Sequence, residues 1–423
     1  MSQTLFDALT WRGLVSQSTD EANLRSHFEQ GPVTYYCGFD PSAPSLHIGN
    51  LVQILTLRRI QERGHYPLAL VGGATGLIGD PKMTGDRTLN DRQTVAAWVE
   101  RIQGQIAPLL DFEGKYAARM VNNLDWTKEL SAIDLLRGVG KHFRLSTMLA
   151  KETVARRLAS EQGISFTEFS YQVLQGLDFR ELYQRYGCTV QTGGSDQWGN
   201  LLSGVELIHK ANGATVHAFT TPLITKADGT KFGKTESGTV WLDPAMTTPY
   251  AFYQFWLNQD DRDVSGYLKV FTFLEPDRIA ELEAATRERP QERAAQKALA
   301  SEVTALVHGP KAAQGAADAA AALFGTGSLA ALEADMLASA VVELPTATVP
   351  KEGEPMTVVE ALAASGLEKS KGAARRTLAA GGVYLNNQKV TDPDQVLESA
   401  DFLHGRFALL RRGRKTLGLA ERR

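Results

Sequence analysis

The stretch Val33-Thr34-Tyr35-Tyr36-Cys37-Gly38-Phe39, followed by Asp40-Pro41-Ser42-Ala43-Pro44, decides the fold. Its first seven residues are rich in β-branched and aromatic side chains, and the next five are turn formers. Outward from it, residues 51–60 read as a helix with Arg58, Arg59 and Arg63 near its C-terminal end and Gly64 as the stop. Residues 66–71 are then a short apolar run closed by Gly72-Gly73, the pattern of a buried strand. Strand, helix and buried strand in that order make a βαβ unit. The expected class is therefore α/β, a parallel sheet with helices on its faces.

A chain of 423 residues is too long for one compact core, so two or three domains are expected. From about Tyr250 to Phe324 the pattern is helical and charged, and residues 312–340 are Ala-rich. The latter read as short helices and a linker rather than a second core. Beyond a boundary near residues 345–355 come two short helices, 358–364 and 372–380, the second preceded by Ser370 and ended by Gly381-Gly382. The turn pair Asn386-Asn387 separates expected strands 383–385 and 388–390. The expected division is 1–224 for the parallel-sheet domain, 225–325 for a lysine loop and helical domain, 326–350 for a linker and 351–423 for a small α+β domain.

Hydrophobic residues make up 43% and charged residues 22%, ordinary for a soluble globular protein. No run approaches the length of a membrane span, and the first residues lack a basic segment followed by an apolar one, so neither membrane nor leader is expected. Cys37 and Cys188 suggest neither a metal pair nor a disulfide framework; a cytoplasmic location is the plain expectation. The net charge of −3 is unevenly spread: residues 351–423 carry 13 basic against 9 acidic side chains, the rest 32 against 39. A basic tail on an acidic body suits a polyanionic partner, although charge alone reads equally as a solvated basic surface.

Two segments carry chemistry. Pro41-Ser42-Ala43-Pro44-Ser45-Leu46-His47-Ile48-Gly49-Asn50 lies between strand and helix, where free N–H groups and the helix dipole favour phosphate. His47 and Asn50, three apart, can face one ligand, and Gly49 admits a flat ring close to the backbone. Taken alone, Ser45 as helix cap and a structural His47 is the simpler account. Lys226-Ala227-Asp228-Gly229-Thr230-Lys231-Phe232-Gly233-Lys234-Thr235 places two lysines three apart in a loop fit to stabilise a polyphosphate. Alone, it would be a solvated turn.

Together, His-Ile-Gly-Asn and Lys-Phe-Gly-Lys-Thr resemble the two signatures of class I aminoacyl-tRNA synthetases, in the same order and about one Rossmann domain apart. Asn50 cannot be cationic, and Phe232 and Gly233 depart from the second signature. Tyr36-Cys37-Gly38-Phe39-Asp40, the run from Val71 to Pro81, the run from Phe169 to Gln175, and Gly193-Gly194-Ser195-Asp196-Gln197-Trp198-Gly199-Asn200 are similar to the bacterial tyrosyl-tRNA synthetases. The likeness spans essentially the whole chain. It implies a Rossmann-type catalytic domain, then a helical domain and a small α+β RNA-binding domain.

The resemblance also assigns roles. Tyr36 and Asp178 would hold the phenol hydroxyl of L-tyrosine; Asp80, Tyr171 and Gln175 its ammonium; and Gln197 would lie near the reacting carboxylate. For ATP it implies Cys37, Gly38, Asp40, Gly49, Gly193, Asp196 and Leu223. Ser42, His47, Asn50, Lys231 and Lys234 would hold the triphosphate, joined by Lys82 and Arg87. The family is homodimeric, and Mg²⁺ would accompany ATP with no tightly bound cofactor. The tail resembles an RNA-binding module, with Arg375, Arg376, Arg411, Arg412, Arg414 and Lys415 meeting tRNA phosphates. Two other readings share these signatures: a tryptophanyl-tRNA synthetase, for which a Tyr36–Asp178 pair is a poorer fit, and an RNA-binding protein built on an inactive synthetase.

Overall fold

The computed structural model describes residues 3–82, 89–230, 232–235, 238–324, 327–350, 355–413 and 416–422, with backbone alone at Lys234 and Thr235. Arg87, Lys231, Arg414 and Lys415 lie outside the described residues. The chain forms two compact units, residues 1–246 with 260–295, and residues 247–259 with 296–423. The expected helical stretch 225–325 is thus shared between them.

The first unit is built on a six-stranded sheet of β1 (Gln17–Ser18), β2 (Thr34–Phe39), β3 (Tyr66–Val71), β4 (Arg119–Asn122), β5 (Cys188–Gly194) and β6 (His217–Thr221). The order is β1-β6-β5-β2-β3-β4, parallel throughout except for the short β1. β2 is central and is buried at Tyr35, Tyr36, Cys37 and Phe39, and β3 is buried from Pro67 to Val71. The helix between them runs Ile48–Glu62, three residues earlier than the sequence pattern suggests. It buries Leu51, Ile54, Leu55, Leu57 and Ile60 completely, each worth about 1.5–3 kcal/mol of transfer free energy. Gly64 ends it at φ 93°, a backbone state that side chains resist. After β2 the sheet grows through β3 and β4 on one side, while β5 and β6 add on the other. The switch in direction opens a crevice at the C-terminal ends of β2 and β5, where ligands of such sheets bind.

In the second unit, β9 (Thr346–Val349), β10 (Val383–Leu385), β11 (Gln388–Lys389), β12 (Phe407–Arg412) and β13 (Thr416–Arg422) form a sheet in the order β11-β10-β12-β13-β9. A two-stranded ribbon, β7 (Lys234–Thr235) with β8 (Gly238–Thr239), belongs to the first unit. Helices Val358–Ala364 and Lys371–Ala379 share a core with the five-stranded sheet, including Val358, Leu362, Leu378 and Leu410. Asn386 and Asn387, at φ 46° and 70°, make the hairpin turn between β10 and β11.

The Ala-rich stretch is not a linker. Helix Pro310–Leu323 and helix Ala334–Val341 bury Ala319, Leu323, Leu337 and Val341 against Phe407, Leu409 and Leu419 of β12 and β13. Small side chains there permit close packing, which composition alone did not distinguish from a flexible tether.

Candidate active site

The C-terminal edge of the parallel strands collects the chemistry-bearing residues. β2 carries Tyr36, Cys37 and Gly38 and runs into Asp40; β3 leads to Thr75 and Asp80, β4 to Asn123, β5 to Gly193 and Asp196, and β6 to Leu223. Helix Phe166–Tyr186 adds Tyr171, Gln175 and Asp178, whose spacing puts them on one face. Ser165 caps that helix by accepting the N–H of Glu168 at 3.2 Å, and Gly187 ends it at φ 62°.

A continuous chain of hydrogen bonds joins these elements. The Asp178 carboxylate accepts from Trp126 Nε1 and from Asn123 Nδ2, each at 2.9 Å. Asn123 Nδ2 also donates to Thr75 Oγ1 at 2.9 Å, while its Oδ1 accepts the N–H of Ala74 at 2.7 Å. The Thr75 hydroxyl donates to Asp40 Oδ1 and the Tyr171 hydroxyl to Asp40 Oδ2, both at 2.7 Å. Gly72 makes room for this arrangement: a Cβ there would lie 2.1 Å from Asp40 Oδ1. Asn123, Trp126 and Thr75 were not singled out from sequence. Asn123 could have been, since it directly follows a parallel strand.

At the Asp178 end, Tyr36 is 1% exposed and its hydroxyl has no hydrogen-bond partner among the described residues. Burial, then the nearby Asp178 charge, raises this phenol far above its ordinary range, so it remains a neutral donor and acceptor. Burial also pushes the Asp178 carboxyl up to about 7, against the lowering effect of Asn123 and Trp126. A phenolic ligand finds here both a donor and an acceptor.

The other end is rich in acceptors. Tyr171 donates its hydroxyl hydrogen bond to Asp40 and keeps its oxygen lone pairs, and Gln175 Oε1 is buried without a partner among the described residues. Asp80 accepts from Gln197 Nε2 at 2.9 Å and from Asn200 Nδ2 at 3.1 Å. A carboxylate, a phenol oxygen and an amide oxygen suit an ammonium group. Gln197 therefore stands with Asp80. It also approaches Asp196 Oδ2 at 3.4 Å, and Asp196 is exposed. Leu223, 59% exposed, has Cδ2 only 3.7 Å from where a Cβ on Gly194 would stand, so it flanks the end of β5.

The helix N-terminus is capped by His47 rather than Ser45. His47 Nδ1 accepts the Gly49 N–H at 3.0 Å, and Asn50 Oδ1 accepts the His47 N–H at 3.1 Å. Ser45 is buried and instead accepts the N–H of Asp243 at 3.1 Å. Ser42 and His47 are exposed, whereas Cys37 is buried with its thiol pushed up to about 12 by desolvation. The second signature segment docks beside the first. The Ile48 N–H donates to Val240 O at 3.3 Å, and the Val240 N–H to Gly233 O at 3.1 Å. Gly233 sits at φ 85°, where a Cβ would come within 2.9 Å of Ile48. The departure at Phe232 has a packing reason: its ring lies 4.4 Å from that of Tyr267 and 5.6 Å from that of Phe271. Lys82 is exposed, and its carbonyl accepts from Arg157 Nη1 at 3.1 Å.

In the second unit, the Arg411 guanidinium stacks 4.1 Å over the Tyr384 ring, and Arg412 lies 3.7 Å from Glu368. Arg375 is 3.6 Å from Asp394 with a side chain 62% exposed, and Arg376 lies in the last turn of the same helix.

The family model described as tRNA synthetases class I (W and Y) matches residues 29–325, and that of the tyrosine–tRNA ligase SYY-like C-terminal domain matches residues 336–420. The tyrosine–tRNA ligase of Streptomyces avermitilis is 64% identical over 99% of this chain and 98% of its own length. That of Mycobacterium tuberculosis is 55% identical over 100% of both. Among solved structures, a C-terminally truncated mitochondrial tyrosyl-tRNA synthetase of Coccidioides posadasii superposes with a TM-score of 0.67 at 35% identity, covering 75% of this chain and 91% of that one. A tryptophanyl-tRNA synthetase of Encephalitozoon cuniculi, at TM-score 0.55 and 13% identity over 73% and 86% of the two chains, shares the fold alone. Matched from end to end by tyrosine–tRNA ligases, with a crevice suited to a phenol at one end and an ammonium at the other, the chain belongs to the tyrosine–tRNA ligase family of class I tRNA synthetases.

Proposed function

We propose that this chain activates L-tyrosine with ATP to tyrosyl-adenylate, releasing pyrophosphate, and passes the tyrosyl group to the 3′ end of tRNA(Tyr). The observation that carries the choice of amino acid is the buried hydroxyl of Tyr36, without a partner among the described residues, near an Asp178 carboxylate that accepts from two donors. Tyr36 and Asp178 receive the phenol hydroxyl; Asp80, Tyr171 and Gln175 receive the ammonium, with Gln197 beside the carboxylate. That carboxylate is ionised at neutral pH and attacks the α-phosphorus without a general base. Catalysis is then positioning and charge stabilisation. Cys37, Gly38, Asp40, Gly49, Gly193, Asp196 and Leu223 form the adenosine subsite. Ser42, His47, Asn50, Lys82, Arg87, Lys231 and Lys234 stabilise the polyphosphate, with Mg²⁺ entering as MgATP.

The second unit grips tRNA through Arg375, Arg376, Arg411, Arg412, Arg414 and Lys415. The working form is a homodimer, supported by apolar side chains clustered in one stretch of sequence: Ile133, Leu136, Leu145, Leu149, Leu158 and Phe166 are 42–78% exposed. No helix among the described residues is long and apolar enough to cross a membrane; the proposed location is the cytoplasm. ATP–pyrophosphate exchange with each of the twenty amino acids tests the reading. Exchange should be strong with tyrosine alone, and strong exchange with tryptophan, or none at all, would overturn it.

A further inference from the structure

Lys151 lies outside every role assigned so far, yet its ammonium is one side chain away from Asp80. Its Nζ donates to Asn200 Oδ1 at 3.1 Å and to Ser203 Oγ at 3.2 Å. Asn200 in turn spends its amino group on Asp80 Oδ1 at 3.1 Å and on Gln197 Oε1 at 3.0 Å, and Gln197 Nε2 reaches Asp80 Oδ2 at 2.9 Å. Each member is oriented by the next. An asparagine amide can turn over, exchanging its oxygen and nitrogen at little steric cost. With its oxygen held by an ammonium, only the NH₂ can face the carboxylate. Turned over, Asn200 would present oxygen to Asp80 and NH₂ to a cation, two repulsive contacts at once.

The local structure is arranged for this reach. The Lys151 stem crosses Gly199, where a Cβ would come within 3.3 Å of Lys151 Cε. The residue lines a cavity of about 160 Å³ with His142, Met148, Gln172, Ser203 and Glu206. Its desolvated ammonium is pulled down to about 8, with Asp80 and then Glu206 opposing that shift, so Lys151 senses the Asp80 charge.

We infer that Lys151 is a positioning residue for the substrate ammonium, acting through Asn200 to fix the plane and charge of the Asp80 carboxylate. This rests on the reading of Asp80 as the counter-ion of the tyrosine ammonium. The role concerns binding of one group of one substrate, and therefore separates from a merely structural tie between residue 151 and helix Trp198–Asn212.

The test compares L-tyrosine with 3-(4-hydroxyphenyl)propionate, which keeps the phenol and carboxylate and lacks the amino group. Equilibrium titrations are made on the full chain as wild type, Lys151→Met, Lys151→Arg and Asp80→Asn. Lys151→Met should weaken tyrosine about tenfold, the loss of one charge-assisted hydrogen bond. The desamino analogue should change less than about twofold, and Lys151→Arg should recover most of the tyrosine affinity. Should Lys151→Met fail to fold, Lys151→Gln repeats the comparison with a milder change. Equal weakening of both ligands, or unchanged tyrosine binding, overturns the inference. Asp80→Asn separates the two levels: if it selectively weakens tyrosine while the Lys151 variants do not, the ammonium reading stands and the positioning role falls. If Asp80→Asn is itself unselective, both fall.

Discussion

His47 and Asn50 close the first turn of helix Ile48–Glu62 on each other: the His47 N–H donates to Asn50 Oδ1 at 3.1 Å, while His47 Nδ1 accepts the N–H of Gly49 at 3.0 Å. An Nδ1 that accepts carries no proton, so the ring N–H is at Nε2. The imidazole thus caps the helix with one nitrogen and has its donor on the other. Both jobs can be separated. His47→Ala should lower the activation rate about 10²-fold and stability by about 1 kcal/mol. Asparagine is a good helix cap, so His47→Asn should restore the melting temperature and leave activation slow. Single-turnover kinetics alongside thermal melts would show it; a rate that returns with stability would mean the cap was the whole effect.

The pair Tyr36 and Asp178 should govern rejection of phenylalanine. A buried polar group left without its partner costs about 1–3 kcal/mol, so Tyr36→Phe should narrow the tyrosine-to-phenylalanine ratio of kcat/KM by about tenfold or more. Unchanged discrimination would remove Tyr36 from that role. Asp178 adds a pH signature, since burial raises its carboxyl from the usual 3.8 to about 7. Tyrosine affinity should fall as pH drops through about 7, because a protonated Asp178 is a poorer acceptor, whereas phenylalanine binding should not respond. Stability moves the opposite way. Between about 4 and 7 the folded chain holds a proton that the unfolded chain has released, so stability is full below this window and is lost as pH rises through it. Asp178→Asn removes that loss. Its stability relative to wild type should rise across the window by up to ~4 kcal/mol and then level off. Denaturant melts at several pH values measure the difference.

Arg157 and Glu168 form an ion pair at 3.1 Å with side chains only 1% and 2% exposed. Arg157 also donates to Gly163 O at 2.8 Å and to Lys82 O at 3.1 Å, tying the segment after Asp80 to the first turn of the helix that carries Tyr171. Arg157→Met strands a buried carboxylate and should cost about 3–5 kcal/mol. Replacing both partners, Arg157→Met with Glu168→Leu, should recover much of that loss, because desolvation of both charges is avoided. A double variant as unstable as the single one would show that packing, not charge, dominates.

The parallel sheet was legible because β2 and β3 are short apolar runs bounded by turn formers, and burial on both faces is what such runs mean. The shared face of Tyr171 and Gln175 was legible from their helical spacing, whereas Asp178 was singled out by the resemblance alone. Lys151, Asn123 and Trp126 were not. Each is distant in sequence from the group it supports, and an Asn or Trp in isolation carries no periodic signal. Ser45 misled for a local reason: serine is the commoner cap, but burial beneath Asp243 took its hydroxyl away from the helix. The Ala-rich stretch misled because alanine serves tethers and tight helix packing alike.

That last difference changes how the tail should be tested. Cutting the chain near Pro345 does not isolate the proposed tRNA grip, because residues 319–341 bury Leu329, Leu337 and Val341 against Phe407, Leu409 and Leu419. Removing β12 and β13 would uncover that core, so loss of charging would report unfolding as readily as lost contacts. Point substitutions avoid this. Arg375 is exposed and only loosely paired with Asp394, so Arg375→Ala together with Arg376→Ala should leave the melting temperature within about 1 °C. Pyrophosphate exchange should be unchanged, because activation needs no tRNA. Binding of tRNA should weaken, and the slope of log affinity against log salt should fall by about 0.7–0.9 for each phosphate contact removed. Arg411 is different, stacked on Tyr384 with Nε buried, so its replacement should cost stability as well as affinity. Aminoacylation and binding across a salt series distinguish the cases, and an Arg375/Arg376 variant that binds tRNA with an unchanged slope would take these two residues out of the contact.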